Sequence, residues 1–175
     1  MAEASGLVPL ELVPGFRFSA VGPEASSLRL QRGFDRYLGI IASMKTLWPR
    51  DGLKCDGLKH AIIALPSLVV DVSGATGLDE PPRLGDDEAF RLVVAGPGNS
   101  TLTATTFQGV QRGLEAFSQL LIRVDGKVLI NSTRTVVAGA PRFAYRGIMV
   151  DTGRHWQSVP ALLELLDGMA ANGLK

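Results

Sequence analysis

Apolar residues recur at helical spacing in two long stretches of this 175-residue chain, separated by short apolar runs and turns. Leu30, Phe34, Tyr37, Leu38, Ile41 and Met44 form the first stripe, and Val110, Gly113, Leu114, Phe117, Leu120 and Leu121 the second. Stripes of this kind must be buried against another element. The spacing predicts helices over 27–45, with Ser26 or Ser27 as the cap, and over 107–122. The runs around them read as strands: 16–21 by alternation, and 67–72 by its β-branched content and the Ser73-Gly74 turn that ends it. Residues 90–94 and 101–105 flank the Ala95-Gly96-Pro97-Gly98-Asn99 turn and predict a hairpin, and Asp125-Gly126 turns the chain into a strand at 128–130. Two helices and four or five strands by Val137 suffice for an α+β domain, a two-layer sandwich with both helices on one face of a mainly antiparallel sheet. Leu30, Phe34, Leu38, Leu114, Phe117 and Leu121 are its expected core. The segments 48–60 and 77–85 read as looser structure.

A different pattern begins after Ala138-Gly139-Ala140-Pro141, which reads as a linker. Gly147-Ile148-Met149-Val150 is apolar without alternation, as in a strand buried on both faces. Ser158 then caps a helix with the stripe Leu162, Leu163, Leu166, Met169 and Ala170, and Asn172-Gly173 ends it. This is one βα unit, whose strand needs neighbours from beyond the chain; the expectation is a chain that stops early.

With 18 Lys and Arg against 17 Asp and Glu, the net charge of +1 gives no field to draw in nucleic acid or a membrane surface. No apolar run is long enough to span a bilayer. The first residues lack the basic start and continuous apolar stretch of a signal peptide. Cys55 is the only cysteine, so no internal disulfide forms. Asn99-Ser100-Thr101 and Asn131-Ser132-Thr133 are glycosylation sequons, or else simply two polar turns.

Three blocks carry a resemblance. Residues 109–120 read Gly-Val-Gln-Arg-Gly-Leu-Glu-Ala-Phe-Ser-Gln-Leu, and residues 141–156 read Pro-Arg-Phe-Ala-Tyr-Arg-Gly-Ile-Met-Val-Asp-Thr-Gly-Arg-His-Trp. Residues 169–174 read Met-Ala-Ala-Asn-Gly-Leu, with Gly173 where the resembled motif has lysine. The chain resembles the N-terminal part of glycoside hydrolase family 20 β-N-acetylhexosaminidases. The resemblance implies the family's non-catalytic α/β domain over 1–140 and the start of its catalytic (β/α)8 barrel over 141–175.

What it implies about chemistry follows. The full-length enzyme would hydrolyse terminal non-reducing N-acetylglucosamine or N-acetylgalactosamine by substrate-assisted retention, an exception to the two-carboxylate scheme. The 2-acetamido oxygen attacks the anomeric carbon, an aspartate orients it, and the adjacent glutamate protonates the leaving oxygen. That Asp-Glu pair is expected beyond Lys175, so no catalytic residue is assigned here and the chain alone is expected to be inactive. Arg154 is the implied substrate-binding residue, following the first barrel strand at the end where barrel sites form. Its planar fork of donors suits two neighbouring hydroxyls. Asp151 is a supporting residue that orients it. From spacing alone a surface arginine paired with an aspartate three residues earlier is the preferred reading, and the motif reverses that. His155 reads as a base or as structural packing beside Trp156, the latter preferred. No cofactor or metal is implied, a homodimer of the full-length enzyme is compatible, and the family is lysosomal, vacuolar or secreted.

Other readings weigh less. Asp79-Glu80 and Asp87-Glu88 have the letters of the catalytic pair but precede the barrel, and read as solvated turn charges. Asp151-Thr152-Gly153 has the aspartic-protease pattern, but that chemistry needs two such aspartates sharing a proton. Arg154 directly after it would keep the carboxylate ionised. No helix or lysine follows the glycines of 96–98, so they read as a hairpin turn and not a phosphate loop. A non-enzymatic fragment or interaction protein is the remaining alternative.

Overall fold

In the computed structural model, residues 8–46 and 62–174 are described, so Cys55 and the whole of 48–60 lie outside them. Strand β1 (Leu10–Val21) is longer than its alternating stretch. Its register against β2 (Ile63–Asp71) shifts between Leu12 and Arg17. Pro14 can donate no ladder hydrogen bond and Gly15 sits at φ +83°, so the strand bulges there and resumes. The sequence pattern showed only the half beyond the bulge.

Helix α1 (Leu28–Ser43) separates β1 from β2 and supplies the crossover that a parallel pair requires. Then come β3 (Phe90–Val94), β4 (Thr101–Thr103), helix α2 (Phe107–Gln119), β5 (Ile122–Val124), β6 (Lys127–Ile130) and β7 (Thr135–Gly139). The strand order is β5-β6-β1-β2-β4-β3-β7. The sheet is mixed. Its two central ladders, β1–β2 and β2–β4, are parallel, and the four around them are antiparallel. The β3–β4 hairpin forms as expected, with Leu92 opposite Leu102.

Both helices meet the Phe18 ring of β1. Phe18 lies 5.4 Å from the Phe34 ring of α1 and 5.9 Å from the Phe117 ring of α2, and Phe16 stacks on Phe117 at 5.7 Å. Leu30, Phe34, Tyr37 and Ile41 are buried from α1, and Val110, Leu114 and Phe117 from α2. Leu121 is buried beyond the helix, whereas Leu38 is only half-buried, at the edge of its stripe. Gly109 and Gly113 let α2 approach the sheet closely. A Cβ on Gly109 would stand 2.5 Å from the Ala89 carbonyl oxygen, and one on Gly113 would stand 2.1 Å from Leu102.

Ser27 caps α1, and Thr106 caps α2 by accepting from the Gly109 amide. The carboxylate of Asp79 reinforces the first cap, accepting from the Arg29 amide at 2.9 Å and the Ser27 hydroxyl at 2.8 Å. Those bonds, the Arg29 amide foremost, hold Asp79 below the usual carboxylate range. Asp79 is exposed, but it is a helix cap and not merely a turn charge. Helix α2 stops before the predicted 122, because Ile122 already pairs with Leu129 in a hairpin. Asp125 and Gly126, both at positive φ, form its turn.

The expected linker is partly strand: Ala138 and Gly139 belong to β7 and pair with Arg91 and Phe90. Beyond it, 147–150 forms no strand, and Ile148, Met149 and Val150 are exposed, Met149 at 91%. A strand needs partners for its amides and carbonyls and cover for both faces. Among the described residues none pairs with this stretch. Helix α3 (Val159–Ala171) does form, capped by Ser158, but none of its residues is buried. It ends at Asn172 with Gly173 at φ +70°, the Gly173 amide donating to Ala170 and the Leu174 amide to Met169.

Candidate functional site

The loop 151–157 between the exposed apolar stretch and α3 carries Arg154. Asp151 organises it. One carboxylate oxygen accepts from the amides of Gly153 at 3.0 Å and Arg154 at 3.1 Å, while the other lies 3.3 Å from Arg154 Nε. A short acidic side chain accepting from amides two and three residues on fixes a tight turn. The ion pair then directs the guanidinium. The Arg154 side chain remains 86% exposed, so the pair itself contributes little to stability, and the fork is accessible to a ligand. This pairing is compatible with the supporting role expected of Asp151. It equally matches the reading as a surface pair three residues apart. Asp151 is committed to a cation and two amides, which does not suit an aspartate sharing a proton with a second carboxyl.

His155 and Trp156 are both exposed, Trp156 at 82%, so the expected structural packing of His155 is absent. The sequon asparagines Asn99 and Asn131 are exposed. Ser100 is buried, its hydroxyl donating to the Gly96 carbonyl at 2.9 Å and accepting from the Ala95 amide, which closes the hairpin turn.

Sequence reasoning missed a second constellation. Glu88, expected as a solvated turn charge, is only 5% exposed. Its Oε2 meets Arg112 Nε of α2 at 2.9 Å and Arg146 Nη2 at 2.5 Å. Both arginine side chains are less than a fifth exposed. Arg146 also donates from Nε to the Gly173 carbonyl at 2.9 Å and from Nη1 to the Phe143 carbonyl. Arg112 lies against Gly173, where a Cβ would be 3.0 Å from Nη1. Removing one partner of a buried cluster like this costs about 3–5 kcal/mol, because the others are left charged and unpaired. A legible signal existed: Arg112 is flanked in α2 by the buried Gly109, Gly113 and Leu114, so a charge there needed a partner at the edge of the core.

Beside this cluster a cleft of about 310 Å³ opens between α2, the end of β7 and the last turn of α3. Arg112, Glu115, Pro141 and Asn172 line it, and Arg154 does not. Glu115 accepts from the Tyr37 hydroxyl at 3.0 Å and from Gln119 at 3.0 Å, joining α1 to α2. Burial, with the Glu115 charge adding to it, pushes the Tyr37 phenol well above its ordinary pKa. No helix among the described residues is long and apolar enough to cross a membrane.

Residues 143–175 match the model of the glycosyl hydrolase family 20 catalytic domain. The chain is 32% identical over 154 residues to the human β-hexosaminidase subunit beta, an alignment covering 88% of this chain and 26% of that protein. It is 31% identical over 171 residues to β-hexosaminidase 1 of Arabidopsis thaliana, covering 92% of this chain and 31% of the relative. The chain thus spans between a quarter and a third of these relatives' length. Among solved structures, a chitobiase of Flavobacterium johnsoniae superposes with a TM-score of 0.68 at 23% identity, over 95% of this chain and 24% of that one. The N-acetyl-β-hexosaminidase of Streptomyces plicatus, solved with thio-NAglucal, superposes with a TM-score of 0.59 at 20% identity, over 95% and 30%. At these identities the superpositions speak to the fold, and both partners share this α+β arrangement.

Proposed function

We propose, from the premise that this chain belongs to glycosyl hydrolase family 20, that it forms the N-terminal part of a β-N-acetylhexosaminidase. The full-length enzyme would release terminal non-reducing N-acetylglucosamine or N-acetylgalactosamine. In this reading residues 1–140 are the small non-catalytic domain, a two-layer sandwich. Residues 141–175 open the catalytic barrel, with 147–150 becoming its first strand once neighbouring strands cover it. A homodimer of the full-length enzyme and a lysosomal, vacuolar or secreted location belong to the same proposal, with Asn99 and Asn131 as glycan acceptors.

The observation that carries it is the Asp151–Arg154 pair, held on a turn at the start of the segment that matches the catalytic domain. Arg154 would bind hydroxyls of the terminal sugar through its planar fork, with Asp151 holding it in orientation. By substrate-assisted retention the sugar's own 2-acetamido group is the nucleophile, so binding that fixes the ring also fixes the attacking oxygen. The 175-residue chain alone is expected to show no turnover of a chromogenic N-acetylglucosaminide.

The test is kinetics on the full-length enzyme. Arg154→Ala and Arg154→Lys should each lose one or two charged hydrogen bonds, worth about 1.5–3 kcal/mol apiece. That corresponds to a loss of roughly ten- to 10⁴-fold in kcat/KM with an unchanged melting temperature. Lysine keeps the charge but cannot span two hydroxyls. Near-normal kcat/KM in Arg154→Ala, or loss that merely tracks early melting, would make Arg154 a structural arginine.

A further inference from the structure

We propose that Glu88 is a positioning residue: through Arg146 it docks the sugar-binding segment onto the small domain and sets where Arg154 stands. The inference rests on the reading of Arg154 as the sugar-binding residue. Three observations support it. First, among the described residues the other contacts between this segment and the small domain are exposed ones. Residues 147–157 are exposed, α3 buries no residue, and the ion pair from α3 to α1, Arg36–Asp167 at 3.9 Å, is exposed. Such an exposed pair fixes almost nothing.

Second, Arg146 closes the segment into a loop. Its guanidinium holds the Phe143 carbonyl at the entrance and the Gly173 carbonyl at the end of α3. Arg154 lies on the connection between those two points. A planar fork satisfying several acceptors at once holds an orientation that a single contact does not.

Third, the closed loop is anchored to the small domain at Glu88. Its carboxylate is buried and receives Arg146 from the loop and Arg112 from α2. Arg112 in turn packs against Gly173, so both arginines reach the carboxylate and the end of α3. Glu88 itself lies two residues before Phe90, the first residue of β3. A displacement of this carboxylate therefore moves both ends of the loop that carries Arg154.

Two measurements test this. In the 175-residue chain, backbone amide exchange is compared between the parent, Glu88→Gln and Arg146→Lys, with α2 and β2 amides as an internal control. Exchange of α3 amides should rise about tenfold or more in both variants while the control amides hold. Arg146→Lys retains the Glu88–Arg112 pair, so it reads docking even if Glu88→Gln loosens the small domain. Unchanged α3 exchange in Arg146→Lys overturns the proposal.

In the full-length enzyme the same two variants are assayed beside Arg154→Ala, at a temperature where circular dichroism reports all of them folded. Misplacing a group that grips the sugar should raise KM by about tenfold or more, with a smaller change in kcat. KM within twofold of the parent, while Arg154→Ala is impaired, overturns the positioning role and leaves the sugar-binding reading standing. An unimpaired Arg154→Ala sinks that reading, and the positioning role with it, whatever the exchange data show.

Discussion

Replacing Gly109 by alanine sets helix propensity against packing, and the two predict opposite signs. Alanine is about 1 kcal/mol better than glycine inside a helix. At Gly109, however, the new Cβ would stand 2.5 Å from the carbonyl oxygen of Ala89 and 3.1 Å from the Cβ of Ala104. An ordinary carbon–oxygen contact is about 3.3 Å or more, so something must move by nearly 1 Å. The carbonyl cannot easily do so. The Ala89 amide is tied to Asp87 at 2.9 Å, and the next residue, Phe90, pairs with Gly139 in the sheet. The helix must shift instead, against a core in which Val110, Leu114 and Phe117 are essentially inaccessible to solvent. Overpacking of this kind costs about 1–3 kcal/mol. After subtracting the propensity gain, Gly109→Ala should destabilise by up to about 2 kcal/mol. Gly39 in α1 provides the control, since it is exposed and a Cβ there meets nothing within 4 Å. Gly39→Ala should stabilise by about 0.5–1 kcal/mol. With a urea m-value of about 2 kcal/mol/M, the midpoints should shift by up to about −1 M and by about +0.2 to +0.5 M respectively. Urea titration followed by circular dichroism measures both shifts. A Gly109→Ala midpoint at or above that of the parent would refute the claim that α2 is seated by its glycines.

The raised pKa of Tyr37 makes a pH prediction. Above pH of about 10 the unfolded phenol ionises while the folded one keeps its proton, so the unfolded state binds fewer protons and stability falls as pH rises. Urea midpoints across that range should fall less steeply for Tyr37→Phe than for the parent, and equal slopes would contradict the assignment. The exposed Asn99 and Asn131 should both accept glycans when the full-length protein is expressed through a secretory pathway. A mass loss on deglycosylation that disappears in Asn99→Gln/Asn131→Gln checks this, and an unmodified parent would rule it out.

The helices were legible because their signals are local. Ser27 and Thr106 cap where a hydroxyl precedes an apolar stripe, and the stripes carry their own period. Leu38 is only half-buried: a stripe read from sequence has no width limit, while the buried arc of α1 is set by the sheet beneath it. The parallel pairing of β1 with β2 was not legible at all. Both runs are half-buried β-branched or alternating stretches, and direction depends on where α1 returns the chain. The strand expected at 147–150 had the right composition for a doubly buried position. Burial on both faces is a property of neighbours, so the residues alone could not produce it.

The two arginine sites differ in the same way. Arg154 and Asp151 are three residues apart, so their pairing follows from a local turn, and the sequence revealed the geometry though not its purpose. Glu88 meets partners 24 and 58 residues away, one on α2 and one beyond the last strand. Read locally, it was the last charge of an acidic loop, and solvation was the natural assignment. Its burial follows from α2 seating closely on the sheet through Gly109 and Gly113. That seating brings Arg112 down to the start of β3. An arginine so placed cannot stay at the edge of the core without a carboxylate, and Glu88 can serve the Arg146 of the following segment with the same oxygen. The close approach of one helix thus creates the charged joint, which links the packing of α2 on the sheet to the position of the proposed sugar-binding loop.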